Sequence, residues 1–221
     1  IHTLISSMDL QRIYTLDGVI TVVDATNGEK TLDLQSEAVK QAALAERIII
    51  SKIDLVEKDK ELSLETRLKA INPSIKIIKS SFGDVSISDI INLGAYDPFS
   101  KSRDVKEWLA IESMDSHHEH DHDHHHVNVN RHDENIEAFS MTSEKPVNMM
   151  AFGLFKDLLM AQMGPDLLRL KGIINIEGKD RPAVIHGVQH IFHPVHWLAE
   201  WPDSDRKTKL VFITRNVKKE Q

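Results

Sequence analysis

Three short β-branched runs, at residues 18–24 (GVITVVD), 47–51 (RIIIS) and 75–79 (IKIIK), are separated by stretches with helical spacing. No other feature limits the fold as strongly. Nearly unbroken apolar runs of this length suit strands buried on both faces of a sheet. Between the first two, residues 33–46 (DLQSEAVKQAALAE) set Leu34, Ala38, Ala42 and Ala45 on one stripe and predict a helix. Residues 59–71 repeat the helical pattern until Asn72-Pro73 stops it. Residues 88–93 predict a short helix closed by Gly94. Strands alternating with helices predict an α/β fold with a parallel sheet.

The pattern breaks down over residues 98–133, where Trp108, Leu109 and Ile111 are candidates for local docking. It resumes with a strand at 135–142 and a helix at 147–163 opened by Pro146. Strands follow at 167–176, 183–192 and 209–215. One helix among several alternating strands predicts a small α+β unit with a mostly antiparallel sheet. The expected division is 1–100, a linker at 101–133, and 134–221. Met149, Met150, Met160 and Met163 read as core residues of the helix. Trp197, Trp201 and Pro202 read as a cap on the second core or a partner-facing patch.

At 41% hydrophobic, a chain of 221 residues can build real cores. A net charge of −7 argues against a nucleic-acid binder, which needs a basic stripe. The absence of cysteine removes disulfides and thiolate metal sites, and fits a reducing, cytoplasmic setting. No apolar run reaches the ~18 residues of a membrane span. The chain opens at Ile1, mid-pattern and without an initiator Met, as expected of part of a larger protein.

Two segments carry chemistry. Residues 117–126 read HHEHDHDHHH, seven of the chain's 13 histidines. Neutral imidazoles and carboxylates are ligands for borderline divalent ions. His117, His118, His120, His122, His124, His125 and His126 are therefore candidate metal ligands, with Glu119, Asp121 and Asp123 completing a shell. Ordering a polar run costs entropy, so such a site favours moderate affinity and quick exchange. The plain alternative is an inert polar linker. A second set, His186, His190, His193 and His196, reads as structural. On one strand, His186 and His190 would stand roughly 13 Å apart, too far to share an ion.

The other segment is Ser51-Lys52-Ile53-Asp54, directly after the RIII run. Ligands of open parallel sheets bind beyond the carboxyl ends of the strands. An ionised Asp54 can accept both N1–H and the 2-amino group of guanine, and adenine offers no such pair. The Lys52 stem can lie along the base with its ammonium near the sugar. Ser80 and Ser81, after the next strand, can offer backbone N–H groups to the base carbonyl. Taken alone, Lys-x-Asp is a common loop sequence with an incidental ion pair.

The succession LDGVITVVDA, RIIISKIDLV and INPSIKIIKSSFGDV resembles the second half of the GTPase domain of the CobW family. These are P-loop GTPases linked to metal insertion, and their guanine motif is Asn/Ser/Thr-Lys-x-Asp. A histidine-rich linker is typical of them. The segment GPDLLRLKGIINIEGKDRPAVIHGVQHIFHP, with KLVFITRNV, is similar to their C-terminal domain. The resemblance implies GTP-dependent delivery of zinc or cobalt to a client metalloprotein through the C-terminal domain, with a homo-oligomer left open. It also implies a GxxxxGK[ST] loop, a Cys-x-Cys-Cys motif and a magnesium-holding switch upstream of Ile1. None is present here, so the chain is expected to lack phosphate binding, magnesium binding and hydrolysis by itself. The alternative function is a non-enzymatic metal-buffering or interaction module.

Overall fold

The computed structural model describes residues 7–14, 16–91, 93, 135–188, 191–193, 195–202 and 204–217. After a single turn, α1 (Met8–Gln11), strands β1 (Ile20–Asp24), β2 (Arg47–Ser51) and β3 (Lys76–Ser80) lie parallel in the order β1-β2-β3. One face of this sheet, with Val23, Ile48, Ile50 and Ile77, packs on helices α3 (Ser36–Leu44) and α4 (Lys58–Ile71). The second face is more open. Val22 is 63% exposed, and Ile49 and Ile78 are half-buried. The expectation that the first run is buried on both faces therefore fails for β1, one of the two outer strands of the described sheet.

Two helices, α2 (Gly28–Leu34) and α3, stand where one was expected over 33–46. Gln35 between them is extended, at φ −129° and ψ 104°. A Cβ on Gly28 would come 2.7 Å from Val23 Cγ1, so α2 starts in close contact with β1. Farther along, α2 is held to α4 by Arg67, whose guanidinium lies 2.9 Å from Glu29 and 2.8 Å from Asp33. α2 and α3 add to one core, through Leu32 and through Val39, Ala42 and Ala43. The extended Gln35 separates the two helices, and Leu34 before it is 67% exposed. The short helix expected at 88–93 is α5 (Ile87–Ile90), and Ile91 is already extended.

The second sheet is antiparallel, in the order β4 (Ile136–Ser143), β9 (Thr208–Arg215), β5 (Leu167–Ile174), β6 (Ala183–Val188), β7 (Ile191–Phe192), with β8 (His196–Trp197) also on β6. Helix α6 (Met149–Met163) covers one face, and Phe152, Leu159, Leu170 and Phe212 form its core. Phe139 and Phe212 stack there, with ring centroids 5.1 Å apart. Trp197 packs against this core. Trp201 packs instead on Ile173, Val184, Leu198 and Val211.

Three expectations change here. The run at 183–192 is not one strand but β6 turned back onto β7, with Gly187 opposite Phe192. A Cβ on Gly187 would sit 3.0 Å from Phe192 Cε1, so the bare glycine lets the ring fold across. α6 begins at Met149 rather than 147, because Val147 bridges to Ile176 and the Asn148 side chain caps Met150 N–H at 2.9 Å. Finally, Met149 and Met150 are 46% and 84% exposed, whereas Met160 and Met163 do pack on the core. In the first turn of α6 the inward position belongs to Phe152, followed by Phe155.

Candidate functional site

The three parallel strands end in one row, with Asp24 beside Ser51 and Ser51 beside Ser80. The turns that follow form the carboxyl edge, where a ligand of such a sheet sits. The structure brings Ser51, Lys52, Asp54, Ser80 and Ser81 to this edge. The Ser51 hydroxyl lies 3.4 Å from the Val23 carbonyl oxygen. Lys52 is left-handed, at φ 60° and ψ 34°, and opens a single 3-10 turn, Ile53–Leu55. Asp54 lies in that turn and is exposed, and no side chain among the described residues pairs with its carboxylate. Ser80 ends β3 and is 2% exposed, so the polar turn proper starts at Ser81, whose carbonyl accepts Asp84 N–H at 2.9 Å. Phe82 (φ 53°) and Gly83 (φ 79°) complete it, with the Phe82 ring 94% exposed.

Sequence reasoning missed Asp24. Its Oδ2 is 2.6 Å from Lys52 Nζ, and its Oδ1 accepts Thr26 N–H at 2.7 Å and Thr26 Oγ1–H at 2.6 Å. These bonds, that to Lys52 foremost, hold its carboxyl well below the usual carboxylate range. The lysine ammonium thus ends on Asp24. The available signal was positional, since Asp24 closes the first β-branched run as Ser51 closes the second.

His117, His118, His120, His122, His124, His125 and His126 lie outside the described residues. Among the described residues, no group of three or more His, Cys, Asp or Glu could hold a metal ion. His190 is also outside, and the turn of β6 onto β7 pairs His186 with His193 instead, whose N–H donates to the His186 carbonyl at 2.9 Å. Burial and the neighbouring His196 push His193 down to about 4. Burial and then Lys171 push His186 well below the usual value. Both rings are therefore neutral at pH 7. Among the described residues, no helix is long and apolar enough to cross a membrane.

Residues 1–79 match the family profile of the CobW/HypB/UreG nucleotide-binding domain. Residues 136–221 match that of the cobalamin synthesis protein cobW C-terminal domain. The zinc chaperone YjiA of Escherichia coli is 23% identical over 221 residues, covering 100% of this chain and 63% of that protein. The zinc-regulated GTPase metalloprotein activator 1 of Schizosaccharomyces pombe is 26% identical over 225 residues, covering 91% of this chain and 53% of that protein. The chain thus spans between half and two thirds of the length of these relatives. The crystal structure of Zn(II)-bound YjiA GTPase from E. coli superposes with a TM-score of 0.73 at 23% identity, over 99% of this chain and 63% of that one. Both halves match in order and the fold is shared along the chain, which belongs to the CobW family.

Proposed function

We propose that this chain is the guanine-reading and client-facing part of a GTP-dependent metal chaperone of the cytoplasm, divided at residues 1–100, 101–133 and 134–221. The observation that carries the reading is the exposed Asp54 carboxylate at the carboxyl edge, in the turn that the anchored Lys52 opens. Asp54 accepts N1–H and the 2-amino group of guanine, and the Lys52 methylenes face the ring. Backbone N–H groups of the turn at Ser81 are the donors for the base carbonyl. GTP is the substrate; its phosphates and magnesium fall to residues other than these, and hydrolysis with them.

The metal is cargo. Zinc is the first choice, because relatives carry names of zinc chaperones and zinc-regulated activators. Cobalt suits the same imidazole donors. The histidines of residues 117–126 hold it loosely enough to release it to a client metalloprotein met by residues 134–221.

The guanine reading is tested in the full-length protein with a fluorescent GTP analogue and competing ATP. Asp54→Ala removes two charge-assisted bonds and should weaken GTP binding about a hundredfold, leaving ATP unchanged. Equal GTP affinity in variant and wild type sinks the assignment. For the linker, zinc is titrated calorimetrically into this chain and into a form with His117, His118, His120, His122, His124, His125 and His126 changed to Ser. The expected result is loss of the tightest binding phase, with wild-type affinity weakening as pH falls through about 6.5, where imidazole protonates. Identical isotherms remove the run from the mechanism.

A further inference from the structure

The guanine motif accounts for Lys52 and Asp54 but leaves Asp24 without a role. We propose that Asp24 is a positioning residue of this site. It holds the Lys52 ammonium so that the lysine stem forms a fixed wall for the guanine ring while Asp54 reads the edge. This rests on the guanine reading above.

The geometry supports it at several points. Asp24 is itself fixed, because Oδ1 takes both the N–H and the hydroxyl of Thr26, while Oδ2 meets Lys52 at 2.6 Å and, at 3.5 Å, the Asn27 amide. The turn that carries Asp24 is tied to its neighbours, with Ala25 N–H on the Ser51 carbonyl at 2.9 Å and Lys60 Nζ on the Thr26 carbonyl at 2.9 Å. Lys52 has a left-handed backbone, which non-glycine residues seldom adopt, so its side chain leaves the turn in a set direction. A flexible lysine must lose rotamer freedom when a ring settles on it. Here the ion pair with Asp24 has ordered it beforehand.

The chemistry separates this role from a purely structural one. The Lys52 side chain is 55% exposed, and exposed ion pairs contribute little to folding stability. Asp24→Asn keeps an acceptor for Thr26, so the turn should survive while the charge that holds Lys52 is lost.

The experiment measures affinities of the full-length protein for GTP and for xanthosine triphosphate, with melting curves as a control. Asp24→Asn and Lys52→Gln should each weaken GTP binding about tenfold, the cost of ordering one long side chain. The double variant should be no worse than either single one, because both remove the same contact. The preference for guanine over xanthine should not change in any of them. Asp54→Asn, whose amide complements the xanthine edge, should reverse that preference. If Asp54→Asn leaves it unchanged, the guanine reading fails and the role of Asp24 falls with it. If Asp54→Asn reverses it while Asp24→Asn binds GTP like wild type, only the Asp24 proposal fails. Additive losses in the double variant overturn it as well. Should Asp24→Asn not fold, Lys52→Gln decides alone, and unchanged GTP affinity there overturns the proposal.

Discussion

Asn72 is fully buried, and its amide nitrogen lies 3.2, 3.2 and 3.1 Å from the carbonyl oxygens of Ala42, Ala43 and Ala45. At the end of α3 the Ala42 carbonyl also takes Ala45 N–H at 3.3 Å and the Ala45 carbonyl takes Arg169, so Asn72 chiefly serves Ala43 and ties the end of α4 to the end of α3. Asn72→Ala should cost about 1–2 kcal/mol, because it removes the amide from the buried Ala43 carbonyl. Urea denaturation measures this, and a loss below about 0.5 kcal/mol would mean that water replaces the amide. In the sequence Asn72 reads only as half of a helix stop, since its partners lie 27 to 30 residues away. Asp24 shows the same limit, with Lys52 28 residues distant. Lys52 and Asp54 are legible because they stand together in a short motif. The residue that steadies them is not, because β1 and β2 come together only in the folded sheet.

Elements were legible where periodicity and a local stop agreed. β2 and β3 fall within one residue of their runs, and α4 ends at Ile71, directly before Asn72-Pro73. The misplaced boundaries depend on contacts between elements. The break at Gln35 goes with the tie of α2 to α4, which joins Glu29 to Arg67 across 38 residues of sequence. The turn of β6 onto β7 needs Gly187 beneath the Phe192 ring, and the strand-like stretch at 183–192 does not reveal it. The position of β1 at the edge of the described sheet is a property of strand order, to which a local pattern is blind. For the candidate site this matters little. The motif lies after β2, the middle strand, and neighbouring turns flank it on both sides.

The two sheets share a core and a charge cluster. Leu168 and Ile213 of the antiparallel sheet are buried in the same cluster as Ala42, Ile48 and Leu68 of the parallel unit. Beside them Glu46, just before β2, lies 2.6 Å from Arg169 and 2.7 Å from Lys171 of β5, and Arg169 also donates to the Ala45 carbonyl. The join therefore meets β2 at its amino end, while Ser51 and Lys52 follow at the other. Burial alone would raise the Glu46 pKa, but Arg169 and Lys171 outweigh it and bring it from 4.5 to about 2. A carboxyl with a depressed folded pKa stabilises fully above its unfolded value, and the contribution is lost as pH falls from about 4.5 toward about 2. Glu46→Gln would leave two buried cations without their carboxylate and should cost about 3–5 kcal/mol at pH 7. Burial and Arg169 already push Lys171 down to about 8. Without Glu46 it should shed its proton more readily, so the variant should regain stability as pH rises from 7 to 9. Urea midpoints of both forms at pH 3, 5, 7 and 9 test this. The gap should be widest near pH 7 and narrow toward both extremes. A gap that stays constant from pH 3 to 7 would mean that the carboxylate charge does not hold the sheets together, and that the shared apolar core alone does.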